Sequence, residues 1–248
     1  MNMVTSWLVR YLSKPLKNYK AVSTSSPGVL AKILQPGDVL LVDGDTRVSV
    51  AIKYLTQSTW SHAAIYVGNV LNQDGIDSAV LIEADMEEGV ILVPLSKYEN
   101  IHTRICRPHN LTDADRKKLV DFLVERIGYQ YDMQNIFDLV RYLLPTPPVP
   151  VSWRRGMIAL GSGDPTRAIC STLIAEAFQS ICYPILPRIE KQDESEIDQA
   201  EREIMQIRHH SLYTPRDFDI SPFFAIVKPG LMNGFDYKEI NWIKGISY

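Results

Sequence analysis

Five short candidate strands between residues 39 and 107, each too brief for a helix and separated by turn clusters, most constrain this fold. They are Val39–Val42, Ala63–Val67, Val80–Ala84, Val90–Val93 and Ile101–Arg107, with breaks such as Gln35-Pro36-Gly37-Asp38 and Asn72-Gln73-Asp74-Gly75 between them. Runs of this length and spacing read as strands. One helix interrupts them, with Val48, Ala51, Ile52 and Leu55 at 3.6-residue periodicity. Beyond residue 112 the periodicity turns helical for good. Strands grouped first and helices second describe an α+β domain: an antiparallel sheet or half-barrel packed on helices.

In the helical half, Thr112 caps a helix that carries Leu119, Phe122, Leu123 and Ile127 inward and ends at Gly128. A second helix is expected near 133–144, before the rigid surface loop Pro145-Thr146-Pro147-Pro148-Val149-Pro150. A third spans about 168–181, with Leu173, Ile174, Ala177, Phe178 and Ile181 on one side. Residues 194–208 read as an acidic amphipathic helix with Ile197, Ile204 and Ile207 inward and His209-His210 at its C-terminus. Phe223–Val227 reads as a last strand.

The 248 residues suffice for one large domain, expected over 29–248 behind a basic segment and linker over 1–28. The first 37 residues hold Arg10, Lys14, Lys17, Lys20 and Lys32 and no acidic residue. Trp7, Leu8, Tyr11 and Leu12 give residues 3–13 a short amphipathic helix. It either packs on its own domain or makes a peripheral membrane contact through residues 1–20. Packing is the simpler reading, because Pro15 keeps the segment short. A net charge of −3 opposes nucleic-acid binding over a broad basic face. No apolar run approaches the ~20 residues that span a bilayer. The first residues lack the order and cleavage site of a secretory signal, and three cysteines do not build a disulfide scaffold; the expectation is a cytoplasmic protein.

Cys170 opens the third helix, after the breaker Gly161-Ser162-Gly163-Asp164-Pro165. A thiol in a first helical turn meets the positive end of the dipole and unpaired amides, which favour thiolate and can hold an oxyanion. A buried structural cysteine is the commoner fate of such a residue. His62 heads the strand after Trp60 and offers an imidazole base, although a histidine at a strand end is usually a satisfied surface residue. Glu83 lies in the next strand, where alternation sets Glu83 and Asp85 opposite Val80, Ile82 and Ala84. Either carboxylate can orient His62, with Asp85 the second choice, or point outward into water.

These segments together resemble a known family. Pro36-Gly37-Asp38 with the strand after it, and Trp60-Ser61-His62-Ala63-Ala64-Ile65-Tyr66-Val67-Gly68, look like the strand and histidine motifs of the NlpC-type papain-like cysteine peptidases. Ile127-Gly128-Tyr129-Gln130-Tyr131-Asp132 and Cys170-Ser171-Thr172 match that family's tyrosine segment and nucleophile helix. Their order is inverted here, as in the circularly permuted YiiX and YebB-like group and the lecithin:retinol acyltransferase family. The resemblance covers roughly residues 33–228. It implies a permuted papain-like fold with Cys170 as nucleophile, His62 as base, Glu83 as third polar residue and the Tyr131 hydroxyl near the oxyanion. The retinol-acyltransferase branch carries Asn-Cys-Glu-His at its nucleophile, whereas this chain has Ile169-Cys170-Ser171-Thr172. That departure favours the amidase-like branch.

The expected activity is thiol-dependent hydrolysis of an amide in a peptide or peptide-like conjugate, with no cofactor. One rival is the same chemistry on a lipid acyl group, as hydrolase or acyltransferase at a membrane surface. Another is a catalytically silent binding module on the same fold. His102, Cys106 and His109 are three metal-ligand types without a fourth, beside Arg104 and Arg107, so no metal site is expected. Cys182 reads as packing.

Overall fold

Strand β1 (Val39–Val42) is apolar at every position because it lies inside the sheet with both faces covered. The computed structural model describes residues 11, 13–15, 25–69, 80–86, 88–130, 169–190, 204–206, 209–229, 236 and 238. Helix α1 (Pro27–Ile33) leads into β1. Helix α2 (Arg47–Thr56), capped by the Thr46 hydroxyl on the Ser49 N–H, connects β1 to β2 (His62–Gly68). Strands β3 (Val80–Asp85) and β4 (Gly89–Pro94) follow, then a 3-10 helix (Leu95–Tyr98) and β5 (Thr103–Pro108). Helices α3 (Asp113–Val124) and α4 (Ile169–Ser180) precede the short strands β6 (Arg188–Glu190) and β7 (Ile204–Gln206). A 3-10 turn (His210–Leu212), α5 (Pro215–Ile220) and β8 (Phe224–Val227) complete the described elements.

Six strands form one antiparallel sheet in the order β4-β3-β2-β1-β5-β8, packed against helices, as expected of the α+β domain read from the sequence. One face carries Val39, Leu41, Ala63, Ile65, Val67, Val80, Ile82 and Ala84 against Leu119, Leu123, Leu173, Ile174 and Phe178 of α3 and α4. The opposite face carries Leu40, Val42, Ala64, Tyr66 and Leu81 against Leu30, Leu34, Leu95 and Tyr98. Strand alternation supplies both sets at once.

Gly37 makes the turn into β1. Its φ is +95°, its N–H donates to the Tyr66 carbonyl at 2.8 Å, and a Cβ there would lie 3.0 Å from Leu111 Cδ2. Backbone conformation and space both select glycine. Gly37→Ala is therefore expected to cost about 1–3 kcal/mol of stability, read as a lower midpoint in urea.

Asp38 follows, fully buried, and its carboxylate receives a two-pronged bond from Arg107 of β5, Nε to Oδ1 at 2.9 Å and Nη2 to Oδ2 at 2.7 Å. Oδ2 also accepts the Gln35 N–H at 2.9 Å. The Pro36-Gly37-Asp38 motif is thus a structural clamp between the turn and β5.

The sequence reading departs from the structure in places. Residues 204–206 pair with 188–190 as an antiparallel ladder, so the helix expected over 194–208 does not extend through them. Isoleucine spacing alone cannot separate a helix from a strand that finds a partner. Helix α3 ends at Val124, which leaves Ile127 past the helix and partly exposed rather than inward. Cys182 is exposed, because it ends α4 in the left-handed conformation (φ 56°) that turns its side chain outward. His210 lies in its own 3-10 turn, paired with Glu176 of α4 at 3.1 Å. The helix expected over 133–144, the proline loop and most of the segment 3–13 lie outside the described residues. At the segment's end, Tyr11 lies under the Arg47 guanidinium of α2, 3.9 Å from its ring centroid. Among the described residues, no helix is long and apolar enough to cross a membrane.

Candidate active site

The start of β2 is anchored from both sides before His62 is reached. Trp60 is buried, donates its indole N–H to Asp219 of α5 at 3.0 Å, and lies under Arg104, which reaches the same carboxylate at 2.6 Å. Ser61 accepts the Gly44 N–H through its hydroxyl at 2.9 Å. His62 then faces Val42 across the β1–β2 ladder.

In the β2–β3 ladder Ile65 opposes Ile82 and Tyr66 opposes Leu81. Continued toward the strand end, this register sets Glu83 opposite Ala64 and Asp85 opposite His62. His62 reaches the diagonal partner: its Nε2 lies 2.9 Å from Glu83 Oε2. Asp85 instead accepts the Glu88 N–H at 3.0 Å and closes the turn into β4. Glu83 is 1% exposed, with two further partners on the 3-10 helix. Lys97 Nζ bonds Oε1, and the Tyr98 hydroxyl donates to Oε2. Burial alone would push this carboxyl up, but His62 and Lys97 outweigh it and hold Glu83 well below the usual carboxylate range.

Cys170 is the second residue of α4, almost fully buried at 5% exposure. Its sulfur interacts electrostatically with the His62 imidazole and the Ala63 N–H, with the Ser171 hydroxyl at 4.0 Å. Glu83 occupies Nε2 of the imidazole, so Nδ1 is the ring nitrogen left for the thiol. Burial pushes the Cys170 thiol up; the imidazolium and the donated hydrogen bonds outweigh that and bring it below its ordinary value. Burial likewise pulls His62 down, but Cys170 and Glu83 together raise it well above its ordinary value. Both shifts act in the direction of thiolate beside imidazolium.

Cys106 shows the contrast. It is fully buried in the core face of β5 without a cationic partner that prevails, and burial and Asp219 push its thiol up to about 12. His102 stacks on Trp60 with ring centroids 5.2 Å apart, while the His109 backbone bonds to Phe223 and Tyr183. Among the described residues no group of three His, Cys, Asp or Glu side chains has the geometry to hold a metal ion.

The structure therefore groups Cys170, His62 and Glu83: the imidazole is bonded to the carboxylate and interacts with the thiol. Tyr131 lies outside the described residues. Sequence reasoning missed Lys97 and Tyr98, which sit in a stretch with no periodic signal between two strands. It also missed Asp219, 159 residues from the tryptophan it holds.

Residues 33–142 match the profile of the permuted papain-like amidase family (YaeF/YiiX, C92). That segment contains His62 and Glu83 and ends before Cys170. Among solved structures, the chain is similar to the metalloprotein yiiX of Escherichia coli O157:H7, with 16% identity and a TM-score of 0.48. The alignment covers 78% of this chain and 96% of that one. No curated protein matches the chain.

Proposed function

From the premise that residues 33–142 match the permuted papain-like amidase family, we propose that this chain is a cysteine hydrolase that cleaves an amide through an acyl-enzyme at Cys170. The observation that carries the reading is the row Cys170–His62–Glu83, with the thiol at a helix N-terminus and the carboxylate on the far ring nitrogen. A binding scaffold has no use for a depressed thiol paired with an oriented imidazole.

In the reaction the thiolate adds to the amide carbonyl, and the oxyanion meets the backbone N–H groups at the start of α4. As the C–N bond breaks, the imidazolium of His62 gives its proton to the leaving nitrogen, and a thioester remains on Cys170. His62, now neutral, takes a proton from an incoming water, which attacks the thioester. Expulsion of the thiolate releases the acid and restores the ion pair. Glu83 keeps the ring in one orientation and stabilises its charged form. These steps use only side chains, backbone and water.

The proposed substrate is an amide in a peptide or peptide-like conjugate. The residues flanking Cys170, which differ from the Asn-Cys-Glu-His of the lipid acyltransferase branch, support that class.

Mass-spectrometric mapping after brief iodoacetamide treatment at pH 6 tests the central claim. Cys170 is expected to label at least about tenfold faster than Cys182, although Cys182 is the exposed thiol. Amide mixtures should leave a Cys170-linked acyl group. Labelling of Cys170 no faster than Cys182 would overturn the hydrolase reading.

A further inference from the structure

We propose that Lys97 is a positioning residue which, clamped on Glu83 beside Tyr98, sets the pH window in which the Cys170–His62 pair is ionised. This rests on the hydrolase reading above and deepens it.

Glu83 is nearly inaccessible to water, yet its two oxygens divide their partners. Oε2 serves His62 and Tyr98, and Oε1 is taken by Lys97. With thiolate and imidazolium in place, Cys170, His62 and Glu83 sum to one net negative charge in a buried site. Lys97 closes that sum to zero. The row then alternates in sign from Cys170 through His62 and Glu83 to Lys97.

Lys97 keeps 42% of its side chain exposed, so its stem reaches water while its ammonium meets the buried carboxylate. The other groups facing the row are few. Asp85 lies on β3 and closes the turn with Glu88. Tyr98 stays protonated, since burial first and Glu83 second push its hydroxyl well up. Helix α1, packed on the 3-10 helix, carries one charged residue, Lys32, which is exposed.

The sign of the effect follows from this alternation. A positive charge at Lys97 favours loss of the Cys170 proton and also favours loss of the His62 proton. Lys97 therefore holds both edges of the ionised window at lower pH than the remaining groups would set. Its removal moves both edges upward together, with little change in width. A role confined to packing would move neither.

The test is the pH dependence of Cys170 alkylation by iodoacetamide in the full chain, for the unmodified protein, Lys97→Met and Lys97→Arg. Lys97→Met is expected to raise both inflections by about 0.5–1 pH unit, the scale of one charge at this separation in a partly exposed site. Lys97→Arg is expected to restore them. Because Lys97 is partly exposed, the methionine variant should fold, and a thermal melt checks this. Unmoved inflections in folded Lys97→Met, or inflections that move in opposite directions, would overturn the positioning role and leave the hydrolase reading standing. An unmodified protein whose Cys170 titrates as an ordinary thiol would overturn both.

Discussion

His62→Ala is expected to lower amide turnover by about 10²–10⁴-fold while leaving the fold in place. The thiol should move up toward its reference of roughly 8.5 or beyond, because the imidazolium that offsets its burial is gone. Alkylation of Cys170 at pH 6 should fall in parallel. The fold tolerates the change because a quarter of the His62 side chain is exposed and Glu83 keeps Lys97 and Tyr98 as partners. Turnover and thiolate content thus decline together with no loss of melting temperature. A His62→Ala protein that keeps a low thiol pKa would assign thiolate stabilisation to the helix N-terminus and the Ala63 amide instead.

Asp38→Ala is expected to destabilise the protein by about 3–5 kcal/mol. Arg107 would lose both carboxylate bonds, keeping only the Ile33 carbonyl at 2.6 Å on Nη2, and the Gln35 amide would lose its acceptor. Asp38 lies four residues before Val42, the partner of His62, about 13 Å along the strand at ordinary rise. Cys170 in the remaining folded molecules should therefore label at the native rate. Urea unfolding with alkylation on the same samples separates the two effects. Lost Cys170 reactivity at undiminished stability would show that the clamp also acts on the site.

Much of the fold was legible because both structural periods were strong. Val39–Val42 is a strand with the expected bounds, and Thr112 caps α3 through the Asp115 N–H at 3.1 Å. The alternation of Val80 to Asp85 set Glu83 apart from Val80, Ile82 and Ala84, and the two cores divide in that way. Local rules govern such features, so local sequence reveals them. Residues 204–206 fail under the same rules, since a short strand forms only where a partner ladder meets it.

The candidate site divides along the same physical boundary. The thiol at a helix start, the imidazole at a strand start and a carboxylate at an alternate strand position are properties of single segments, and residue order alone determined them. Choosing Glu83 over Asp85 needed the register of β2 on β3 and the turn that engages Asp85. Lys97 and Tyr98 became partners of Glu83 only when a 3-10 helix followed β4, and Asp219 met Trp60 only when α5 packed beside β1. The Asp38 carboxylate, part of a motif in the sequence, became a clamp on Arg107 through a strand pairing 69 residues away. Sequence determines what each segment can offer. Which offers meet is decided by packing and register, because hydrogen bonds and charge pairs act over a few ångströms of space whatever the distance along the chain.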